Sequence, residues 1–388
     1  MTTRALAGLV GVALTLNCCA PSTQPVGANG AGTITPLWQT DVGSLPTGLV
    51  LALVTPSSVI VGGNDVLFGL SPATGAKLWT LRIPFGLPYA GVIPVSDSLV
   101  ALVTGDGFVT FDPHDGQVRR IWAEQNPRRN PSGTLPQSLS DGRVVYASRA
   151  LDLMALDART ARLDTLARLP GDSARHPYVA SLLVVNDTIY APVASDALRG
   201  AAFRNTVTYR YSVRSRSLDS LLPDQSDSAS LSRWMISRGD LLVSSTNYSE
   251  PSWLAFSRAT GERKWKVGAA PGSLGPYSQV ALVGDTLFAG GNDGMAYVIH
   301  IPSGQLLRKF SIPTGLVDGV VACGGNVIVN VIGEMYSYPR DGRPRSRIGG
   351  LIEGKDNFLG FFATGSGITV IGNGAGLWIA LPCASTSN

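Results

Sequence analysis

The stretch VIVGGNDVLFGLSPATGAKLW, Val59 to Trp79, contains alternating apolar segments, a Gly-rich turn and a second turn that ends at Gly75. Much later in the chain, LFAGGNDGMAYVIHIPSGQLL, Leu287 to Leu307, repeats this arrangement. Alternation places every second side chain on one face of a strand, and glycine readily takes the positive φ of a tight hairpin turn. Each stretch therefore predicts short antiparallel strands joined by turns.

The same unit recurs along most of the chain. Its second turn falls at positions that lie 38 to 55 residues apart: Gly75, Gly116, Ala161, Arg216, Gly261, Gly304 and Gly342. A period near 40–50 residues with several short strands per unit is typical of a β-propeller, in which each blade must stack between its neighbours. The unit around Arg216 is degraded, so seven blades stay open as an alternative to eight.

The two ends of the repeat region complement each other. Residues 358–381 supply three strands but no fourth, while Ile34–Gly43 forms an isolated strand whose Trp38 resembles Trp79. We therefore predict that the N-terminal strand pairs with Leu377–Leu381 and closes an eight-bladed, all-β ring. Closure of this kind removes two open sheet edges.

The composition supports an all-β fold and gives no indication of a nucleic-acid partner. Of the 388 residues, 45 are glycine and 15% are charged, which suits many short strands and tight turns. A disordered chain would need low hydrophobicity and high charge. The net charge of +4 is too small to indicate a nucleic-acid partner.

The N-terminus carries the features of a secretory signal. Arg4 precedes the apolar run Ala5–Leu16, which is too short to span a bilayer. The following LNCCAPST resembles a lipoprotein signal, which implies a lipid on Cys19 or on Cys18. Simple cleavage near Ala20, giving a secreted protein, is the alternative.

These features predict four segments: a signal peptide at 1–19, a flexible Gly/Pro-rich tether at 20–33, the propeller at 34–383 and a tail at 384–388. Because Ala20 is not the Asp that retains such lipoproteins at the inner membrane, we expect the periplasmic face of the outer membrane. Cys323 and Cys383 lie outside the signal. In an oxidising envelope they either form a disulfide or stay as buried free thiols, and the sequence leaves both open.

Two of the repeats resemble those of a known family. LFGLSPATGAKLW and WLAFSRATGERKW are similar to repeats of the pyrroloquinoline-quinone (PQQ) type. An eight-bladed propeller of this length behind a lipoprotein-like signal resembles the BamB family, outer-membrane lipoproteins that assist the β-barrel assembly machine. The resemblance implies a noncatalytic scaffold that binds a membrane or envelope protein complex. An accessory subunit of another membrane complex and a quinoprotein-type oxidoreductase are the alternatives.

The sequence offers no catalytic or metal-binding constellation. Quinoprotein enzymes of the wider group carry adjacent disulfide-bonded cysteines, a Ca²⁺ site and a catalytic Asp, but here the adjacent cysteines, Cys18 and Cys19, lie in the signal. His114, His176 and His300 have no partner at metal-ligand spacing. We therefore predict no enzyme activity, no cofactor and no metal site.

Two segments are longer than the corresponding segments of the other repeats, and both contain arginines. Glu124–Gln137 contains Arg128 and Arg129, and Ala194–Thr206 contains Arg199 and Arg204. Loops that outgrow a repeat often bind partners, although tolerated insertion is the alternative. Strand counting places both loops on one face, opposite the turns at Gly75 and Gly261. The predicted platform suits an acidic protein surface, on a propeller that is monomeric by itself.

Overall fold

The computed structural model describes residues 33–43, 50–63, 65–85, 91–126, 128–132, 134–171, 177–195, 204–222, 230–247, 252–268, 280–290, 295–311, 317–323, 326–331, 334–339, 346–348, 361–365, 367–372 and 376–383. This part of the chain contains strands and no helix, and so no helix that could cross a membrane. The strands form eight separate sheets.

Two strands precede the first blade, namely β1 (Thr33–Ile34) and β2 (Trp38–Asp41). Blade one contains β3 (Val50–Val54), β4 (Val59–Gly63), β5 (Val66–Leu70) and β6 (Lys77–Arg82). Blade two contains β7 (Gly91–Ser96), β8 (Leu99–Val103), β9 (Gly107–Phe111) and β10 (Val118–Ala123). Blade three contains β11 (Gln137–Ser138), β12 (Val144–Ala147), β13 (Asp152–Asp157) and β14 (Arg162–Arg168).

Blade four contains β15 (Pro177–Val179), β16 (Leu183–Val185), β17 (Thr188–Ser195), β18 (Arg204–Ser212) and β19 (Ser217–Leu222). Both β15 and β16 pair with β17, so together they act as its inner strand. Blade five contains β20 (Ser230–Arg238), β21 (Leu241–Asn247), β22 (Ser252–Ser257) and β23 (Arg263–Gly268). Blade six contains β24 (Val280–Val283), β25 (Thr286–Gly290), β26 (Met295–His300) and β27 (Gln305–Ser311).

Blade seven contains β28 (Val317–Cys323), β29 (Asn326–Val331), β30 (Glu334–Pro339) and β31 (Ser346–Ile348). Blade eight contains β32 (Phe361–Gly365), β33 (Ile368–Gly372) and β34 (Leu377–Pro382). Within each blade, strands that are neighbours in the sheet pair antiparallel, and the first strands of most neighbouring blades contact each other around the centre of the ring.

The N-terminal strand closes the ring, as the sequence predicts. β2 pairs antiparallel with β34, with Trp38 opposite Ala380 and Asp41 opposite Leu377. The inner strands β3 and β32 also touch, which joins blade one to blade eight. The propeller therefore has eight blades, and the degraded unit around Arg216 forms blade four.

A second N-terminal contact was not predicted. β1 adds to the outer strand of blade seven, where Thr33 lies opposite Arg347 in a parallel pair. The segment before blade one thus binds two blades in succession. The Cys323–Cys383 disulfide ties the same two blades, because Cys323 ends β28 and Cys383 follows β34.

The core is divided among the interfaces between blades. The described apolar residues form eight clusters, one between each pair of neighbouring blades. Between blades five and six, for example, Trp253 and Tyr297 are buried with their ring centroids 4.4 Å apart. Since each blade is apolar on both faces, no blade is expected to be stable alone.

Outer-strand tryptophans connect each blade to the next turn. The indole Nε1 of Trp38 donates to Pro72 O at 2.9 Å, that of Trp79 to Pro113 O at 3.0 Å, and that of Trp265 to Ile301 O at 2.6 Å. Each acceptor lies in the turn between the third and fourth strands of the following blade. Trp122 differs, since its ring packs on Phe108 in its own blade at 5.5 Å.

Candidate functional site

The 124–137 loop runs from the outer strand of blade two to the inner strand of blade three. It lies along the β12–β13 turn and exchanges backbone hydrogen bonds with it. Ala150 N donates to Arg128 O at 3.2 Å, Arg149 N to Asn130 O at 2.8 Å, and Ser132 N to Ala147 O at 2.8 Å. These bonds fix the described part of the loop to the body of blade three.

A side-chain-capped turn shapes the tip of this loop. Glu124 Oε1 accepts from Asn126 N at 2.9 Å, and Asn126 Oδ1 accepts from Arg128 N at 3.1 Å. The backbone also turns, with Arg129 N donating to Asn126 O at 2.8 Å. Asparagine favours such turns because its amide oxygen replaces a backbone acceptor. The backbones of both arginines are therefore held in one conformation.

The side chains of Arg128 and Arg129 are exposed, and no carboxylate of the described residues forms an ion pair with either. Other arginines of the same blades are paired: Arg119 with Asp112 at 2.9 Å and Arg143 with Asp141 at 2.7 Å. The loop thus presents two guanidinium groups that are available to an external carboxylate.

Arg149 adds a third cation that the sequence does not predict. It lies in the β12–β13 turn, is exposed, and donates its backbone N–H to the loop. Its turn has the ordinary length for the repeat, so no sequence signal distinguishes it. The backbone hydrogen bonds from Arg149 N to Asn130 O and from Ala150 N to Arg128 O, together with the bridge between Pro131 and Ser148, bring it beside Arg128.

The same loop also exposes an apolar residue. Leu135 is 66% exposed, although leucine is usually buried. The following Pro136 packs against the start of blade two, where a Cβ at Gly91 would overlap the proline ring. We name Arg128, Arg129, Leu135 and Arg149 the arginine platform.

Below the platform, Tyr146 is fully buried and its ring lies 5.3 Å from that of Phe108. Burial raises the pKa of Tyr146 well above its usual value, the Glu124 carboxylate raises it further, and Arg129 opposes them. The phenol therefore stays neutral at physiological pH. Neither Tyr146 OH nor Glu124 Oε2 has a hydrogen-bond partner among the described residues. Buried polar atoms of this kind are often satisfied by an ordered water.

The second predicted loop is described only at its ends. Residues 196–203, which include Arg199, lie outside the described residues, and Arg204 is described only as the first residue of β18. Arg204 lies opposite Ser195, and Ser195 lies opposite Pro177 at the start of blade four. The ends of this loop are therefore at the edge where blade four begins, as the 124–137 loop is at the edge where blade three begins.

The described ends of both loops consequently lie on the same face of neighbouring blades. The turns at Gly75 and Gly261 join third to fourth strands and lie on the opposite face. The structure brings Arg128, Arg129 and Arg149 together, whereas Arg199 and the side chain of Arg204 lie outside the part of the chain that it describes.

The remaining predicted site residues lie elsewhere. Cys18, Cys19 and His176 fall outside the described residues. His114 is exposed and contacts Asp112 at 3.0 Å, and His300 contacts Ser303 at 2.8 Å. Among the described residues, no three His, Cys, Asp or Glu side chains are grouped as metal ligands would be.

The fold and repeats define a class: an eight-bladed β-propeller of the PQQ-repeat type. The chain belongs to the PQQ-repeat family described as outer membrane protein assembly factor BamB, whose model matches residues 23–267, more than half of the chain.

Solved structures share this fold at low identity. BamB from Moraxella catarrhalis is 12% identical, with a TM-score of 0.60 over 90% of this chain and 99% of that one. The computationally designed Ika8 protein is 14% identical, with a TM-score of 0.65 over 89% and 99%. Sqt1 from Saccharomyces cerevisiae is 8% identical, with a TM-score of 0.64 over 92% and 100%. A comparison with curated protein sequences finds no match.

Proposed function

We propose that this protein is a noncatalytic scaffold of the cell envelope that binds an acidic surface of a membrane protein complex. Membership of the BamB-type PQQ-repeat family supports a BamB-like role in outer-membrane protein assembly. The same propeller serves both enzymes and scaffolds, so the proposal rests on the surface and not on the fold.

The observation that carries the proposal is the arginine platform. Three exposed guanidinium groups lie on two hydrogen-bonded turns, without ion-pair partners among the described residues. Guanidinium groups form paired hydrogen bonds with carboxylates. Because the backbone is already fixed, less conformational entropy is lost on binding than a mobile loop would lose.

We also propose that a lipid on Cys19, or on Cys18, attaches the chain to the periplasmic face of the outer membrane. Mass spectrometry of the N-terminal peptide tests this directly. A diacylated cysteine as first residue supports the anchor, and an unmodified N-terminus near Pro21 excludes it and favours a secreted protein.

The partner proposal is tested by affinity purification of the full chain from native membranes. We expect a membrane protein to co-purify with the native chain and to be lost from the variant Arg128→Glu/Arg129→Glu. The matched control is Arg159→Glu/Arg214→Glu, which reverses two exposed arginines on the opposite face of blades three and four.

Equal recovery of the partner with both variants would exclude the platform as the binding surface. The identity of the co-purified protein also distinguishes between the two proposed roles. A component of the β-barrel assembly machinery supports the BamB-like form, whereas another complex favours an accessory subunit.

A further inference from the structure

Blade four departs from the repeat where it contacts the next blade. In blades one and five, a small residue of the third strand lies opposite the outer-strand tryptophan: Gly69 opposite Trp79, and Ala255 opposite Trp265. In blade four the third strand has Arg210 at this position, and the outer strand, SLDSLL, has no tryptophan. A different side chain must therefore connect blades four and five.

Arg210 makes that connection. Its Nη1 donates to Arg258 O at 3.1 Å and to Ala259 O at 3.0 Å, in the turn between the third and fourth strands of blade five. In other blades the outer-strand tryptophans donate to the corresponding turns. The rest of the guanidinium binds Asp219, with Nε 3.1 Å from Oδ1 and Nη2 2.5 Å from Oδ2. Arginine thus replaces tryptophan as the link between the blades.

A cavity of about 290 Å³ lies beside this arginine. Its lining consists of two rows of cross-strand neighbours on β17, β18 and β19: Thr188, Ser212 and Ser217 in one row, and Tyr190, Arg210 and Asp219 in the next. Because Thr188 begins β17 and Ser217 begins β19, the cavity lies towards the face opposite to the arginine platform.

Two hydroxyl groups of this cavity are not used by the fold. Tyr190 is only 4% exposed, yet neither its hydroxyl nor that of Thr188 has a hydrogen-bond partner among the described residues. Burial raises the pKa of Tyr190, so its phenol stays protonated at physiological pH and can donate. A buried tyrosine usually finds a partner for its hydroxyl. Here the cavity is the place where a ligand would supply one.

The lining favours an uncharged ligand that is rich in hydroxyl groups. Arg210 and Asp219 compensate each other, so the cavity offers no free counter-charge to an ion. The carboxylate can still accept further hydrogen bonds, and each hydroxyl group both donates and accepts. The volume is near the lower end of the range for ligand pockets, about 300 to 1,000 Å³. It therefore suits one sugar unit rather than an extended chain.

We propose that this cavity binds one neutral monosaccharide unit, whose hydroxyl groups bond to Thr188, Tyr190 and Asp219. The unit is either a free sugar or one residue of a glycan, since both present the same ring hydroxyl groups. This site is separate from the arginine platform and goes beyond the scaffold role.

Saturation-transfer difference NMR of the purified protein tests the proposal. The probes are glucose, galactose and N-acetylglucosamine, each as the free sugar and as its methyl glycoside. We expect at least one to bind saturably in the millimolar range. Equal binding of the methyl glycoside supports a glycan residue as the ligand, and binding of the free sugar alone supports a free sugar. Inorganic phosphate should not compete, because Arg210 is already paired with Asp219.

The variant Thr188→Val/Tyr190→Phe should weaken sugar binding about tenfold, the loss expected when two hydrogen bonds to a ligand are removed. It should leave the melting temperature nearly unchanged, because these hydroxyl groups have no partner in the described fold. The matched control is Thr286→Val/Tyr211→Phe. Thr286 begins β25 of blade six as Thr188 begins β17, and Tyr211 is buried on the other face of blade four. The control should change binding by less than about twofold.

Absence of saturable binding of every sugar, competition by phosphate, or equal loss of binding in both double variants would overturn the proposal. If Thr188→Val/Tyr190→Phe fails to fold, Tyr190→Phe alone replaces it and is compared with Tyr211→Phe. The platform variant Arg128→Glu/Arg129→Glu should bind sugar like the native chain, so this test and the test of the membrane partner can fail separately.

Discussion

At the scale of single residues, the turns between third and fourth strands show where the repeat tolerates change. Gly75, Gly116, Gly261 and Gly304 have φ between 69° and 74°, and Ala161 and Arg216 adopt the same region with φ of 61° and 55°. Residues with a Cβ reach this region at a cost of roughly 1–2 kcal/mol. The fold therefore imposes the turn even where the sequence does not favour it.

Replacing Arg216 by glycine should raise the free energy of unfolding by up to about 1 kcal/mol, because glycine takes positive φ without the Cβ clash. Gly116→Ala should lower it, since alanine both strains the turn and places a Cβ against the Trp79 ring. Urea denaturation measures both. A stabilising Gly116→Ala would contradict the proposed packing between tryptophan and turn.

The sequence predicts Arg128 and Arg129 as site residues because their loop exceeds the repeat and therefore stands out. It does not predict Arg149, which belongs to a turn of normal length. The position of Arg149 depends on hydrogen bonds between the loop and the β12–β13 turn. These hydrogen bonds depend on the path that the chain takes between blades. The alternation of apolar residues and the length of the repeat do not predict that path.

At the scale of elements, closure depends on short N-terminal strands. The sequence predicts β2 because blade eight lacks a fourth strand and Trp38 repeats the outer-strand tryptophan. β1 contains only Thr33 and Ile34, too few residues for a period-2 pattern, and its parallel pairing with β31 is evident only from the structure.

Deleting residues 33–43 should lower the melting temperature of the whole ring in one cooperative step. The deletion exposes the edge of β34 and removes Trp38 from the interface with blade one. Differential scanning calorimetry measures the effect. An unchanged melting temperature would show that closure does not depend on this strand.

Removing the disulfide should lower the free energy of unfolding by about 4 kcal/mol, the value expected for a closed loop of about 60 residues. The double variant Cys323→Ser/Cys383→Ser avoids a free thiol. Treatment of the native chain with dithiothreitol should reproduce its denaturation curve. Identical stability of the variant and the oxidised native chain would contradict a stabilising role for the link between blades seven and eight.

At the scale of the whole molecule, the ring places the arginine platform on one face, at blades two and three. The turns between third and fourth strands, which include Arg159 and Arg214, lie on the opposite face. The sequence predicts the ring and its closure, whereas the position of the platform relative to the other blades follows only from their order in the ring.

The central claim is that this protein binds a partner through the platform face. Site-specific photocrosslinking in living cells tests it most directly, with a photoreactive phenylalanine analogue at the position of Leu135 or, as control, of Arg159 on the opposite face of blade three. We expect a covalent adduct with one membrane protein from position 135, lost when Arg128 and Arg129 are changed to Glu, and no adduct from position 159. An adduct with that same protein from position 159, and none from position 135, would contradict the account.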